Sequence, residues 1–99
     1  MLERNFQAKL IKEIKERFPG CIVLKNDPNY IQGFPDLTIL FDGPFWAVLE
    51  SKRDETASHR PNQDYYIRLC NNMSFGRFIN PENKEDILNE LQQALQPNW

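Results

Sequence analysis

The chain has 99 residues, 40% of them hydrophobic and 26% charged, a globular composition at single-domain length that excludes a disordered chain. Its formal net charge of −2 argues against nucleic-acid binding through a broad basic surface. No apolar run approaches the roughly 20 residues that cross a bilayer, and the opening residues do not read as a secretory signal, so the expected setting is the cytoplasm.

Leu2, Phe6, Leu10, Ile14 and Phe18 recur every fourth residue, and Ile11 widens the stripe. Lys9, Lys12, Glu13, Lys15, Glu16 and Arg17 fill the other side. This pattern predicts an amphipathic helix of about four turns, stopped by Pro19-Gly20. Cys21 to Leu24 reads as a short strand. Asn26-Asp27-Pro28-Asn29 is turn chemistry, opening a loop over 26–34 that runs into Gly33-Phe34-Pro35.

Leu37 to Phe41 and Phe45 to Glu50 read as strands joined by a reversal at Asp42-Gly43-Pro44. Both are apolar on both faces, which predicts burial between two layers and helices on both sides of the sheet. Residues 53–60 are polar and aperiodic, hence a loop. Pro61 suits the first turn of a helix whose apolar side carries Tyr66, Ile67, Leu69, Cys70 and Met73. Phe75 to Ile79 is a fourth strand. Asn80-Pro81 then gives an N-cap and first-turn signature for a last helix, with Ile87, Leu88, Leu91 and Leu95 on one stripe and Pro97 at its end. The expected order is α-β-β-β-α-β-α in one domain spanning 1–99, an α/β fold around a mixed sheet. Cys21 and Cys70 sit among apolar residues and read as buried thiols; nothing calls for a disulfide between them.

The chemistry gathers at the reversal. Pairing centred on Gly43 sets Asp36 opposite Glu50, with Cβ atoms about 4.5–5.5 Å apart. Two facing carboxylates repel, and both border strands that look buried, where an unpaired charge is costly. A hard divalent cation such as Mg²⁺, held by one or two carboxylates plus water, is the natural compensation. Lys52, two residues past Glu50, falls on the same side by strand alternation. Two acids and one amine at one corner suit phosphodiester hydrolysis. The metal polarises the phosphate and acidifies a water, and the lysine stabilises charge on the attacked group or orients the water. From the letters alone P-D…E-x-K is a short pattern, and Asp36, Glu50 and Lys52 also read as ordinary polar residues at strand ends.

Gly33-Phe34-Pro35-Asp36 … Glu50-Ser51-Lys52 resembles the PD-(D/E)xK nuclease superfamily, and most of all the small stand-alone VRR-NUC (virus-type replication-repair nuclease) domains, over nearly the whole chain. The resemblance implies a restriction-endonuclease-like αβββαβ core flanked by helices on both faces, with an added C-terminal helix. It implies a hydrolase dependent on Mg²⁺ or Mn²⁺, with Asp36 and Glu50 as metal ligands, Ser51 lending its backbone carbonyl, and Lys52 catalytic. It also implies that Glu3, near the start of the first helix, and Gln63, at the start of the helix after the lysine, join the site. The related Q-x-x-x-Y pattern is not kept, since Ile67 stands four after Gln63, and Tyr65 and Tyr66 are offset. The function implied is a DNA endonuclease acting on branched DNA such as four-way junctions, as a homodimer, in a bacterial or phage-infected cell. A flap- or nick-directed nuclease and a non-catalytic nucleic-acid-binding module are the alternatives.

Around this core, Arg53, Arg60 and Arg68 are candidates for the DNA backbone. His59, the one histidine, is a candidate for a phosphate, and Tyr30 for a base or for packing. No Gly-rich phosphate loop supports a nucleotide cofactor. A 99-residue core is thin, which favours a partner subunit.

Overall fold

The computed structural model describes residues 2–95. Seven elements follow in order: α1 (Glu3–Arg17), β1 (Ile22–Lys25), β2 (Leu37–Leu40), β3 (Trp46–Ser51), α2 (Pro61–Met73), β4 (Phe75–Ile79) and α3 (Lys84–Leu95). The predicted order is therefore present. The four strands form one mixed sheet in the order β1-β2-β3-β4. β1 pairs with β2 and β2 with β3 antiparallel, and β3 pairs with β4 parallel. A parallel neighbour needs a crossover, and α2 supplies it.

One face of the sheet carries the core. Leu37, Ile39, Ala47, Leu49, Phe75 and Ile79 are buried there against Phe6, Leu10 and Ile14 of α1 and against Ile87, Leu88 and Leu91 of α3. The opposite face of β3 and β4 packs on α2. Gly76 makes that approach possible: a Cβ on it would meet the Ile67 carbonyl oxygen at 2.8 Å and Cys70 Cβ at 3.4 Å.

Three expectations are corrected. Helices do cover both faces at β3, but not at β2, where Leu40 is 40% exposed, beside Ile22 (55%) and Leu24 (44%) on β1. The reason is width. A helix is about 10 Å across and strands lie about 4.8 Å apart, so α2 alone covers about two of four strands, whereas α1 and α3 together cover the core face. The last helix begins at Lys84, not at Pro81. Asn80 Oδ1 accepts the N–H groups of Glu82 and Asn83, both at 2.9 Å, closing a turn first, and the Ile87 N–H to Asn83 carbonyl bond then opens the helix. Cys70 is buried as expected but Cys21 only partly, and both are free thiols. Pro97 lies outside the described residues.

Gly76→Ala forces α2 away from β4. We expect a loss of about 1–3 kcal/mol, read as a lower urea midpoint.

Candidate active site

The β2–β3 register pairs Leu37 with Leu49 and Thr38 with Val48. Continued by one step, it brings Asp36 opposite Glu50. Asp36 precedes the strand, and its N–H donates to Glu50 Oε1 at 3.2 Å. β1 pins the entry. The Asn26 N–H donates to the Asp36 carbonyl at 2.8 Å, while Asn26 Nδ2 donates to the Pro35 carbonyl and to Thr38 Oγ1, both at 2.8 Å.

The Asp36 carboxylate curls over the end of β3. Its Oδ1 accepts the Ser51 N–H at 3.1 Å. Its Oδ2 accepts the Ser51 hydroxyl at 2.6 Å and Gln7 Nε2 at 2.9 Å. Glu50 is 6% exposed, and its Oε2 accepts Gln63 Nε2 at 3.3 Å. Lys52 is buried to a similar degree. Its ammonium donates to Gln63 Oε1 at 2.8 Å and to the Ser58 carbonyl at 3.2 Å, and it lies 5.9 Å from the centre of the Phe78 ring. One amide, Gln63, thus bridges the acid and the amine. Its orientation is fixed from the helix side as well, because the same Oε1 accepts the Arg60 N–H at 3.1 Å and caps α2.

Burial raises the pKa of Asp36 above the ordinary aspartate range, against the bonds from Ser51 and Gln7 that favour its ionised form; the charge of Glu3 adds to the rise. Glu50 is raised from the ordinary value of 4.5 to about 8, by burial first and then by the Asp36 charge, with Lys52 opposing and Glu3 adding. The corner is thus short of positive charge, and a proton on Glu50 supplies it at neutral pH.

A cleft of about 480 Å³ opens over these groups, lined by Glu3, Gln7, Asp36, Glu50 and Gln63. Lys25 and Arg60 are its cations. Of the residues expected to form the site, Glu3, Asp36, Glu50, Gln63 and Arg60 share this cleft; Ser51 and Lys52 join them through their bonds to Asp36 and Gln63, and Lys52 lines a neighbouring hollow rather than the cleft. His59 instead stacks on Phe78, ring centres 3.7 Å apart, with its Nδ1 3.1 Å from Asp64 Oδ1. Arg53 points to Asp54 at 3.6 Å and lines a neighbouring hollow with Lys52 and Ser58. Arg68 is an exposed residue of α2. Tyr30 is 84% exposed, at a second hollow beside the cleft. Gln7, Lys25, Asn26 and the Ser51 hydroxyl join the site without a motif that marks them. Gln7 carried a usable signal, since it lies one helical turn after Glu3, on the same face.

Among the described residues, no three His, Cys, Asp or Glu side chains gather into a metal-binding group. A cation here would depend on two carboxylates, Asp36 and Glu50, with the Ser51 carbonyl and water completing an all-oxygen set of the kind Mg²⁺ and Mn²⁺ prefer. The residues fit this. A carboxylate offers about four acceptor positions; the bonds described above leave capacity on Asp36 Oδ1 and on both Glu50 oxygens. The chain matches no family model, no curated protein and no solved structure.

The raised Glu50 pKa fixes the sign of a pH effect. Between about 4.5 and 8 the unfolded chain loses this proton while the folded chain keeps it, so stability falls as pH rises through that window. In EDTA, melting temperature should drop between pH 5.5 and pH 8.5, and Glu50→Gln should remove most of that slope.

Proposed function

We propose that this chain is a divalent-metal-dependent endodeoxyribonuclease of the PD-(D/E)xK kind. The observation that carries the reading is the state of Lys52. A buried ammonium whose role is structural would pair directly with a carboxylate. Here Gln63 stands between Lys52 and Glu50. Of three N–H donors, two are used, on Gln63 and Ser58. The third remains for a ligand oxygen.

Hydrolysis breaks one P–O ester bond, forms one from phosphorus to a water oxygen, and delivers a proton to the departing alcohol. Bound Mg²⁺ or Mn²⁺ would polarise the phosphoryl group and acidify the attacking water. Asp36 and Glu50 would hold that charge in place, Glu50 in its ionised form with its proton released to solvent. Lys52 donates to a non-bridging phosphoryl oxygen as negative charge builds on it. Gln63 orients Lys52 and Glu50 together. Gln7 and Ser51 hold the Asp36 carboxylate against rotation. Lys25 and Arg60 are suited to phosphates flanking the cut.

Branched DNA is the substrate class we favour, with a homodimer as the working unit. The uncovered apolar strip of Ile22 and Leu24 on the edge strand β1 and Leu40 on its neighbour β2 suits a second copy of the chain. A twofold pair would then present two clefts to a twofold junction. A non-catalytic nucleic-acid-binding module is the second reading; Lys52 lines the neighbouring hollow rather than the cleft of Asp36 and Glu50, which favours it.

The test is incubation with a four-way junction, a flap, a nicked duplex and a linear duplex in Mg²⁺ or Mn²⁺. We expect cleavage of the branched forms. Lys52→Ala should lower kcat by about 10²–10³-fold, and Gln63→Ala by about 10–100-fold. Equal cleavage by Lys52→Ala, or none by the parent chain, overturns the assignment.

A further inference from the structure

Beside the cleft lies a hollow of about 400 Å³ lined by Asn26, Asp27, Tyr30, Ile31 and Phe34. It shares Asn26 and Phe34 with the cleft, so one bound strand can enter both. The two differ in chemistry. The cleft has the cations Lys25 and Arg60, whereas the hollow has none and carries the Asp27 carboxylate instead. Asn26 spends its amide nitrogen on the Pro35 carbonyl and Thr38 Oγ1, so it has little to donate. A phosphate is therefore disfavoured in the hollow. An uncharged planar ring is favoured, because Tyr30, Ile31 and Phe34 offer apolar contact and Tyr30 is 84% exposed. An aromatic ring left this open has no packing role in the fold. Phe34 is held edge-on against Tyr66 at 5.5 Å between centres, which stiffens the wall shared with the cleft.

We infer that this hollow is a subsite for an unpaired nucleobase next to the phosphate that is cut. Base–aromatic stacking tolerates any base because every base has a π-face. Asp27 Oδ1 accepts the Asn29 N–H at 2.8 Å; its other oxygen, acceptor-only when ionised, adds a preference for bases with an exocyclic amine over thymine. A base inside a continuous duplex is stacked inward and cannot reach such a wall without being extruded. The subsite therefore favours DNA with a base that is unpaired or easily unpaired at the cut, such as a flap base or a junction base at the end of an arm's stack, over linear duplex. This inference rests on the nuclease reading for its place beside a scissile phosphate, but base binding itself does not need catalysis.

The test uses a single-stranded oligonucleotide carrying one 2-aminopurine among thymines, titrated in EDTA so that no cutting occurs. Stacking on Tyr30 should quench its fluorescence. Tyr30→Ala should abolish the quench and weaken binding about ten- to hundredfold, while Tyr30→Phe, which keeps the ring, should retain both. No quench with the parent chain, or equal titration by Tyr30→Ala, overturns the subsite. Quenching without any cleavage in the metal-dependent assay removes the nuclease reading and leaves the subsite; cleavage without quenching does the reverse.

Discussion

Two carboxylates brought together at the buried end of a β-hairpin are the constraint around which the rest of this molecule is arranged. The β2–β3 register sets Asp36 against Glu50, and burial then disfavours the ionised form of each. Like charges across a sheet repel, and desolvation adds to the cost. Around them stand donors from four parts of the chain: the Asp36 and Ser51 amides, the Ser51 hydroxyl, Gln7 of α1 and Gln63 of α2. They are neutral groups, so they lessen the charge imbalance without cancelling it. A proton on Glu50 balances the remainder when no cation is present, and a hard cation would compete for the same place.

The fold explains why so many elements converge here. α1 lies across the core face and brings Glu3 and Gln7 to the sheet end from one side. α2 crosses back between parallel strands, so its first turn arrives beside the end of β3 and delivers Gln63. The 26–34 loop passes close to that turn. Gly33, at φ +88°, runs so near α2 that a Cβ on it would fall 2.4 Å from Asn62 Cβ. Only glycine tolerates both the backbone angle and the gap. That contact joins the wall carrying Tyr30 and Phe34 to the helix carrying Gln63, and so ties the hollow to the Asp36–Glu50 corner.

Much of this was legible in the residues. The reversal at Asp42-Gly43-Pro44 set the register, because a hairpin of given centre leaves one partner for each position, and strand alternation then carried Lys52 to the side of Glu50. What could not be read depended on how layers sit on one another. Gln7 joins Asp36 only because α1 is rotated to face the sheet end, which a helical stripe alone leaves open. The apolar outer positions of β2 looked buried by composition; Leu40 is nonetheless exposed, because one helix cannot span four strands. Asn80-Pro81 resembled a helix start, but the Asn80 side chain satisfies the N–H groups of a turn, and the helix begins later.

The exposed strip on β1 and β2, the cleft and the hollow beside it lie around one end and one edge of the sheet. On the proposed function, the Asp36–Glu50 corner exchanges a proton for a hard divalent ion. The most direct test is anomalous diffraction from crystals of the chain grown with Mn²⁺ at pH 8. We expect a single strong peak within bonding distance of both carboxylates and its loss in Glu50→Gln. An empty corner, with the two carboxylates still bonded only to Ser51, Gln7, Gln63 and the Asp36 N–H, would contradict it.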